Sequence, residues 1–330
     1  MKILAFGEVM LRYTVPEHML LEQSDTVLMS TVGTGVNLLG SLSHLGYETG
    51  MITQVPDNSL GKKAVADLRK LGIDDSLVGY TNGYLGSFFV ELGHGSRPQR
   101  VTYQDRLSSS FCITGPDEYD FNSALEGVDY VHICGIALSL TKETRSAALE
   151  LAKVAHKKGV KVCFDFNYRM GLNENNSHQM MKELYQEMLE YVDIAFGSKR
   201  DLTDLLDYAE IKESDLYAKF SADYDIEYFA GSNRKSDEHK RYFQGFIAHN
   251  GQLYKSKLRE VKVLDRIGSG DAFASGVITG LIENWKYEDT LRFAVANSVL
   301  TQESLNDTPL FDKEDIFDYL ACDGKNELIR

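Results

Sequence analysis

The sequence predicts an α/β protein in which a central, mostly parallel sheet is flanked by helices and carries a small β lid. Short apolar segments alternate with amphipathic ones along most of the 330 residues, and alternating strands and helices form parallel sheets. Gly46 and Gly72 follow the first two amphipathic segments, where helices commonly end. Two strand-like segments then enclose Gly93 and Pro98, which predicts a hairpin that interrupts the alternation.

The order of the elements follows from the period of the apolar residues. Helical spacing, as at Val36, Leu39 and Leu42, predicts helices over 34–45, 59–71, 142–158, 178–190, 271–283, 287–302 and 313–319. Ser59 is the predicted N-cap of the second helix. Apolar runs predict strands over 2–9, 49–55, 85–92, 100–105, 130–136, 160–166, 192–196, 225–230, 242–249 and 253–257.

Nothing in the sequence divides the chain. It has no internal repeat, low-complexity tract or Pro/Gly/Ser-rich linker, so we expect one domain over 1–330, with a lid from parts of 9–33 and 84–110. Such an excursion either covers an active site or extends an edge that pairs with a second copy, and the two roles are compatible. Pairing of two lids would cover their open strand edges and produce a homodimer.

Composition argues against several kinds of partner and site. A formal net charge of -14 disfavours a nucleic-acid partner, although it also simply favours solubility. The four cysteines form no C-x-x-C pair and the eight histidines show no metal-ligand spacing, which indicates reduced thiols and no zinc site. No segment approaches the roughly 20 apolar residues of a membrane-spanning helix. We therefore expect a cytoplasmic protein without membrane contact.

The chemistry-bearing stretch runs from Asp265 to Phe273 and precedes an apolar helix. Its glycines, Gly268 and Gly270, let backbone N–H groups turn toward one point at a helix N-terminus, which is an arrangement that holds an anion. Asp271 at the helix start is placed to take the proton of an attacking hydroxyl in phosphoryl transfer. Alternatively, Asp271 is only an N-cap and the glycines form a tight turn.

This stretch resembles the C-terminal signature of the ribokinase-like (PfkB) carbohydrate kinases, through segment 268–271 preceded by Asp265. Gly33 and Asn37 at the first helix are similar to that family's N-terminal glycine motif. Segments 6–12 and 165–169 resemble one branch, the 2-keto-3-deoxygluconate kinases. The resemblance runs in the family's order from residue 1 to about residue 310.

The resemblance implies an enzyme that phosphorylates a hydroxyl of a small sugar acid, most closely 2-keto-3-deoxygluconate, with ATP as donor. Asp271 would be the base, and the N–H groups of Gly268, Ser269 and Gly270 would form the anion hole. Magnesium would be carried by the ATP phosphates, with no metal bound directly by the protein. The remaining residues implied to bind sugar are Glu8, Gly33, Asn37, Phe88 and Gln104, and those implied to bind nucleotide are Ser198, Asp201, Ser232 and Asn297.

Two arginines suit an acidic substrate. Arg169 follows a predicted strand end, where ligands of α/β proteins collect, and Arg106 follows the lid hairpin. Guanidinium groups pair with carboxylates at two points, so this pair would hold a sugar acid despite the negative net charge. In the resembling branch these positions contact the acid end of the substrate. The alternative is a pair of surface salt bridges.

The sequence departs from the resembling branch at several positions. Val32 replaces a glycine, Ser198 replaces an asparagine, and lid tyrosines are replaced by Phe88 and Gln104. Tyr103 is not expected to substitute for Gln104, because neighbouring strand residues face opposite sides.

These changes keep two alternatives open: a neutral-sugar or nucleoside kinase of the same family, and a sugar-binding relative with weakened catalysis. The chain lacks both G-x-x-x-x-G-K-[ST] and an early G-x-G-x-x-G. This argues against a P-loop kinase and a nicotinamide dehydrogenase.

Overall fold

The computed structural model describes residues 1–237 and 240–322. Its first strands are β1 (Lys2–Phe6), β2 (Met10–Val15), β3 (Leu28–Val32), β4 (Glu48–Pro56), β5 (Ile73–Asp74), β6 (Val78–Thr81), β7 (Gly86–Glu91) and β8 (Arg100–Tyr103). The later strands are β9 (Tyr130–Cys134), β10 (Lys161–Asp165), β11 (Ile194–Phe196), β12 (Tyr228–Ser236), β13 (Arg241–His249), β14 (Gln252–Lys255) and β15 (Arg259–Glu260).

The α-helices lie between these strands and after the last of them. Those of the first half are α1 (Thr34–His44), α2 (Ser59–Lys70), α3 (Ser110–Ile113), α4 (Phe121–Ala124), α5 (Ile136–Ser139) and α6 (Lys142–Lys158). Those of the second half are α7 (His178–Leu189), α8 (Glu213–Tyr224), α9 (Ser269–Ile282), α10 (Tyr287–Gln302) and α11 (Lys313–Ala321).

The central sheet has the strand order β14-β13-β12-β11-β10-β9-β1-β4-β5. Neighbours from β12 to β5 are parallel, and only the β12–β13–β14 end is antiparallel. The predicted mostly parallel sheet is therefore confirmed. A second sheet, which we call the lid, has the order β3-β2-β7-β8, and β7 and β8 form the predicted antiparallel hairpin.

Alternate residues of β1 show how helices come to cover both faces of the central sheet. Leu4 and Phe6 pack into an apolar cluster that includes α6 and α7, whereas Ile3 and Ala5 pack into a cluster that includes α1, α9 and α10. Because strand side chains alternate between faces, these are the two sides of one sheet. No helix among the described residues is both long enough and apolar enough to cross a membrane.

Several predicted boundaries were wrong. The strand predicted over 2–9 is split, because β1 ends at Phe6 and the chain re-enters an extended path as β2 of the lid. Asn58, not Ser59, caps α2, because its side chain accepts hydrogen bonds from the N–H groups of Leu60 and Gly61. Asp225 adopts a left-handed conformation that ends α8, so β12 begins at Tyr228 rather than at Asp225. Strand β3 and helix α8 were not predicted.

The cysteines are free thiols. Cys112, Cys134 and Cys163 are buried, and Cys322 is only partly covered. Burial raises the pKa of Cys112 and Cys134 to about 12, and it also raises the pKa of Cys163, because the charged thiolate is disfavoured away from water.

His132 is a polar residue in the middle of the apolar sheet. It lies on β9 between Ala5 and Cys163 of the neighbouring strands, and neither ring nitrogen has a hydrogen-bond partner within 1–237 and 240–322. Burial lowers its pKa from 6.5 to about 4. The folded protein therefore keeps the imidazole neutral, whereas the unfolded chain takes up a proton below about pH 6.5.

We expect His132→Leu to raise the free energy of unfolding by about 1–3 kcal/mol at neutral pH, since an unsatisfied buried polar group is removed. The folded-state pKa of His132 is depressed, so the wild type should lose stability as pH falls from 6.5 toward 4, and the variant should lose less. Urea unfolding at pH 7.5 and pH 5 measures both effects. The exposed His156→Leu serves as control, and equal pH dependence in wild type and His132→Leu would contradict the assignment.

Candidate active site

A cavity of about 970 Å³ opens at the carboxyl ends of the central strands and is bounded on one side by the lid. Parallel α/β sheets place their ligand sites at this edge, because the loops that follow the strands converge there. Most of the predicted site residues line it, namely Glu8, Gly33, Asn37, Phe88, Arg106, Arg169, Ser198, Asp201, Ser232, Gly268, Ser269, Gly270 and Asp271. Two predicted residues, Gln104 and Asn297, do not.

Asp271 is the third residue of α9, and its side chain is 7% exposed at the cavity wall. Its Oδ2 accepts a hydrogen bond from Asn37 Nδ2 at 2.8 Å, which fixes the carboxylate. Burial raises the pKa of Asp271 well above its usual value, the charge of Asp165 adds to this effect, and the bond from Asn37 opposes it. A carboxyl group with a raised pKa is a stronger proton acceptor once it is ionised.

The turn before α9 requires glycine at its third position, the N-cap of the helix. Gly268 has φ +84, and a Cβ there would lie 1.7 Å from the backbone oxygen of Asp307. Because Gly268 lacks a Cβ, the backbone of the turn can pack directly against the loop that follows α10. At the next residue the Ser269 N–H makes a long contact of 3.4 Å with the Arg266 carbonyl, so the turn is partly closed on itself.

Gly33 meets a similar spatial limit on the opposite wall. A Cβ at this position would lie 2.4 Å from the backbone oxygen of Glu8. The preceding residue, Val32, lines the cavity and packs with Met10 and Phe88 in the apolar cluster of the lid. The branched side chain is therefore held by lid packing at a position where the resembling branch has glycine.

The lid presents Tyr103 to the cavity, and it does not bring Gln104, which was predicted to bind substrate, to the cavity wall. Tyr103 pairs with Phe88 across the β7–β8 ladder, and their rings are 5.5 Å apart. Gln104 lies beyond the end of β8, where it is exposed and accepts a hydrogen bond from Ser87. Paired residues of two strands share a face, so the partner of Phe88 would have identified Tyr103 had the hairpin register been known.

The two predicted arginines lie on either side of Tyr103. Arg169 donates to the Tyr103 hydroxyl at 3.2 Å and to Asn167 Oδ1 at 3.0 Å, and no carboxylate among the described residues forms an ion pair with it. Arg106 lies 5.7 Å from the Tyr103 ring centre. The structure therefore brings the two guanidinium groups to one aromatic side chain.

Arg106 is not a surface ion pair. It is 9% exposed, and its Nε donates to Glu8 Oε2 at 2.5 Å. Glu8 Oε1 is buried and has no hydrogen-bond partner in the part of the chain that the structure describes. Because the pair is electrically neutral, Arg169 supplies the net positive charge at this end of the cavity.

Asp165 and Asp201 place two carboxylates at the cavity wall. Burial and the neighbouring Asp201 raise the pKa of Asp165 to about 7, and burial also raises the pKa of Asp201. Ser198 donates to Asp201 Oδ2 from its backbone N–H and from its hydroxyl, each at 2.7 Å. Among the described residues, no group of three or more metal-ligating side chains surrounds a common point.

Asn297 is a packing residue and not a cavity residue. It is completely buried, and its amide donates to Ser41 Oγ, the Ala272 carbonyl and Ser275 Oγ at 3.0–3.2 Å. These bonds join α10 to α1 and α9. The structure therefore does not bring Asn297, predicted to bind nucleotide, to the cavity wall, whereas Ser232 lies there.

A buried ion-pair network that sequence reasoning missed joins the lid to the turn before α9. Arg12 on β2 is 1% exposed and donates to Asp265 at 2.5 Å, to Asp307 and to Thr14 Oγ1 at 2.8 Å. Asp265 also accepts from Gln99 of the lid and from the Ile267 N–H, both at 3.2 Å. No local sequence pattern predicts ion pairs between residues that are 253 and 295 positions apart in the chain.

Comparisons with known proteins agree with this geometry. A 2-dehydro-3-deoxygalactonokinase from Haloferax volcanii is 24% identical over 316 residues, which cover 96% of this chain and 95% of the relative. A candidate 2-keto-3-deoxygluconate kinase from Enterococcus faecalis superposes with a TM-score of 0.96 at 45% identity, covering 100% of this chain and 99% of that chain. The 2-dehydro-3-deoxygluconokinase from Thermotoga maritima superposes with a TM-score of 0.90 at 28% identity, covering 97% and 99%.

The match to a family extends over most of the sequence. Residues 1–224 and 240–312 fit the family described as pfkB family carbohydrate kinase. This span includes the lid, the turn before α9 and the cavity wall, apart from the segment 231–234 of β12. The chain belongs to the pfkB family of carbohydrate kinases.

Proposed function

We propose that this carbohydrate kinase transfers the γ-phosphoryl group of ATP to a hydroxyl of a small sugar acid of the 2-keto-3-deoxygluconate type. One observation carries the proposal: a buried carboxylate, Asp271, shares a cavity with Arg169, a guanidinium that has no carboxylate partner among the described residues. The similar proteins from Haloferax volcanii and Thermotoga maritima are named as kinases of sugar acids, which supports this substrate class.

Each of these cavity residues has a separate role in the proposed reaction. Asp271 accepts the proton of the sugar hydroxyl as that oxygen bonds to the γ-phosphorus, and the bond from this phosphorus to the bridging oxygen of ADP breaks with its electron pair leaving on ADP. Asn37 orients the carboxylate of Asp271. Tyr103 and Arg169 bind the carboxylate of the sugar acid, since a guanidinium and a hydroxyl both donate hydrogen bonds to it.

The opposite side of the cavity suits the phosphates of ATP. The N-terminus of α9 offers backbone N–H groups, and Arg234 and Arg266 add positive charge. Asp165 and Asp201 would hold magnesium carried by the ATP phosphates, directly or through water, because carboxylate oxygens are ligands that this ion prefers. Magnesium on the ATP phosphates would neutralise the charge that develops during transfer. Ser198 holds Asp201 in place, and Ser232 lies at the same wall.

A neutral-sugar or nucleoside kinase is the second candidate. It is favoured by the ion pair between Arg106 and Glu8, which leaves one of the two lid-side arginines neutralised. The Glu8 Oε1 atom, which has no hydrogen-bond partner among the described residues, would then accept a hydrogen bond from a sugar hydroxyl. The weaker third candidate, a sugar-binding relative without turnover, is favoured only by Val32 and Ser198.

ADP release with Mg-ATP and a panel of sugar acids and neutral sugars tests the reaction. We expect the highest kcat/KM with 2-keto-3-deoxygluconate and a loss of kcat of about 10³-fold or more in Asp271→Asn, since a general base alone contributes about 10²–10⁴. Asp105→Asn, at an exposed lid carboxylate outside the cavity, is the control. Full activity of Asp271→Asn would refute the assigned base, and sugar binding without ADP release would support the third candidate.

Arg169→Ala separates the two kinase candidates. If a sugar carboxylate binds here, KM for sugar acids should rise about 10- to 100-fold, because a charge-assisted hydrogen bond contributes about 1.5–3 kcal/mol. Turnover of neutral sugars should stay within about threefold of the wild type. An unchanged KM for every sugar acid in the panel would leave the neutral-sugar candidate as the better one.

We also propose that two copies pair through their lids. Strands β3 and β8 are the open edges of the lid, and Leu28 and Met29 of β3 are 65% and 43% exposed. A second copy would pair these edges and cover the apolar side chains.

Light scattering at micromolar concentration should give twice the mass of one chain. Leu28→Glu should reduce the mass to that of a monomer, because a charge would enter the covered surface. Leu253→Glu, at an exposed apolar residue of β14, should not change it. A monomer mass for the wild type would exclude this assembly.

A further inference from the structure

Arg234 lies beside the turn before α9, and the roles assigned so far give it only a share of the positive charge near the ATP phosphates. It is near the end of β12, lines the cavity and donates from a terminal guanidinium nitrogen to Ser269 Oγ at 3.0 Å. The Ser269 hydroxyl in turn donates to the Arg266 carbonyl at 2.9 Å. This chain of two bonds holds the guanidinium against the residue that lies two positions before Asp271.

The charge of Arg234 is uncompensated within the described part of the chain. The buried arginines of the site are neutralised, since Arg12 has Asp265 and Asp307, and Arg106 has Glu8, whereas Arg234 is exposed at the cavity wall. Arg234 forms no ion pair there, and its pKa is lowered by partial burial and by the positive charge of Arg266. Folding has thus brought two like charges together beside a helix N-terminus, and an anion would relieve their repulsion.

The position of this charge indicates which anion it binds. The sugar carboxylate is assigned to Arg169 and Tyr103 on the lid side. Arg234 contacts instead the turn whose next residues, Gly270 and Asp271, open α9 with N–H groups that have no partner within the helix. Phosphoryl oxygens are the anion that a guanidinium and helix N–H groups bind together.

We propose that Arg234 is a further catalytic residue of this kinase and donates hydrogen bonds to the oxygens of the phosphoryl group during its transfer. The inference rests on the kinase reaction at Asp271 and is independent of which sugar accepts the group. Arg234 exchanges no proton, because a guanidinium stays charged in proteins. It stabilises the charge on the oxygens while the new bond to phosphorus forms and the bond to the bridging oxygen breaks.

Calorimetric titration with Mg-ADP, alone and with aluminium fluoride, tests this role without turnover. Aluminium fluoride imitates the planar phosphoryl group, so the wild type should bind the combination more tightly than Mg-ADP. In Arg234→Ala, this gain in affinity should be at least about 30-fold smaller than in the wild type. The affinity of the variant for Mg-ADP alone should stay within about threefold of the wild-type value. Arg234→Lys should keep part of the gain, since the charge remains but the two-point geometry is lost.

Activity and a matched control complete the test. We expect kcat of Arg234→Ala to fall about 10²- to 10³-fold with little change in KM for the sugar, as when a donor to the transition state is removed. Lys235→Ala is the control, because the adjacent strand residue is exposed and faces the opposite side. An equal fluoride-dependent gain in Arg234→Ala and wild type would overturn the proposal, as would an equal loss in Lys235→Ala.

The binding measurement uses no sugar, so a wrong substrate assignment leaves its result unchanged. If Asp271 is not the base, the Asp271→Asn variant should be active, whereas the fluoride-dependent gain in affinity should still require Arg234. A variant that loses Mg-ADP itself would assign Arg234 to ground-state nucleotide binding and would also overturn the proposal.

Discussion

The geometry of this kinase depends on one buried cation. Arg12 is shielded from water almost completely, and its charge is compensated by two carboxylates from distant loops, Asp265 and Asp307. Removing one partner of such a pair typically costs about 3–5 kcal/mol, because the other charge stays buried and unpaired. The lid strand that carries Arg12 is therefore fixed relative to both loops. The cavity between lid and central sheet keeps its shape through this fixed relation.

The ion pairs of Arg12 with Asp265 and Asp307 also support the proposed phosphate side of the site. Asp307 supplies the backbone oxygen against which Gly268 packs, and Asp265 accepts the Ile267 N–H of the same turn. That turn leads directly into α9 and places Asp271 where Asn37 holds it. The lid side is built separately, from the Phe88–Tyr103 pair and the neutral ion pair between Glu8 and Arg106. The cavity thus joins the proposed phosphate end and the proposed acid end, which have different structural supports.

What could be predicted from the sequence was local or was carried by a contiguous motif. Apolar periodicity predicted α6 and α10 at their observed bounds, and segment 268–271 located the turn and Asp271. The prediction failed where contacts between residues that are distant in the sequence determine which side chains reach the cavity. The register of the β7–β8 hairpin brings Tyr103 rather than Gln104 to the cavity, and side-chain spacing within one strand cannot reveal it. Asn297, although polar and near the site, satisfies hydrogen bonds between helices.

The burial of the cysteines has a practical consequence for labelling. Three of the four thiols lie inside the fold with their pKa values raised by burial, and such thiols form little of the reactive thiolate near neutral pH. Cys322, after the last helix, is the thiol that solvent reaches. A maleimide dye should therefore attach at this end of the chain without any cysteine being removed. Fluorescence from that single position would report on the folded enzyme while leaving the cavity wall unmodified.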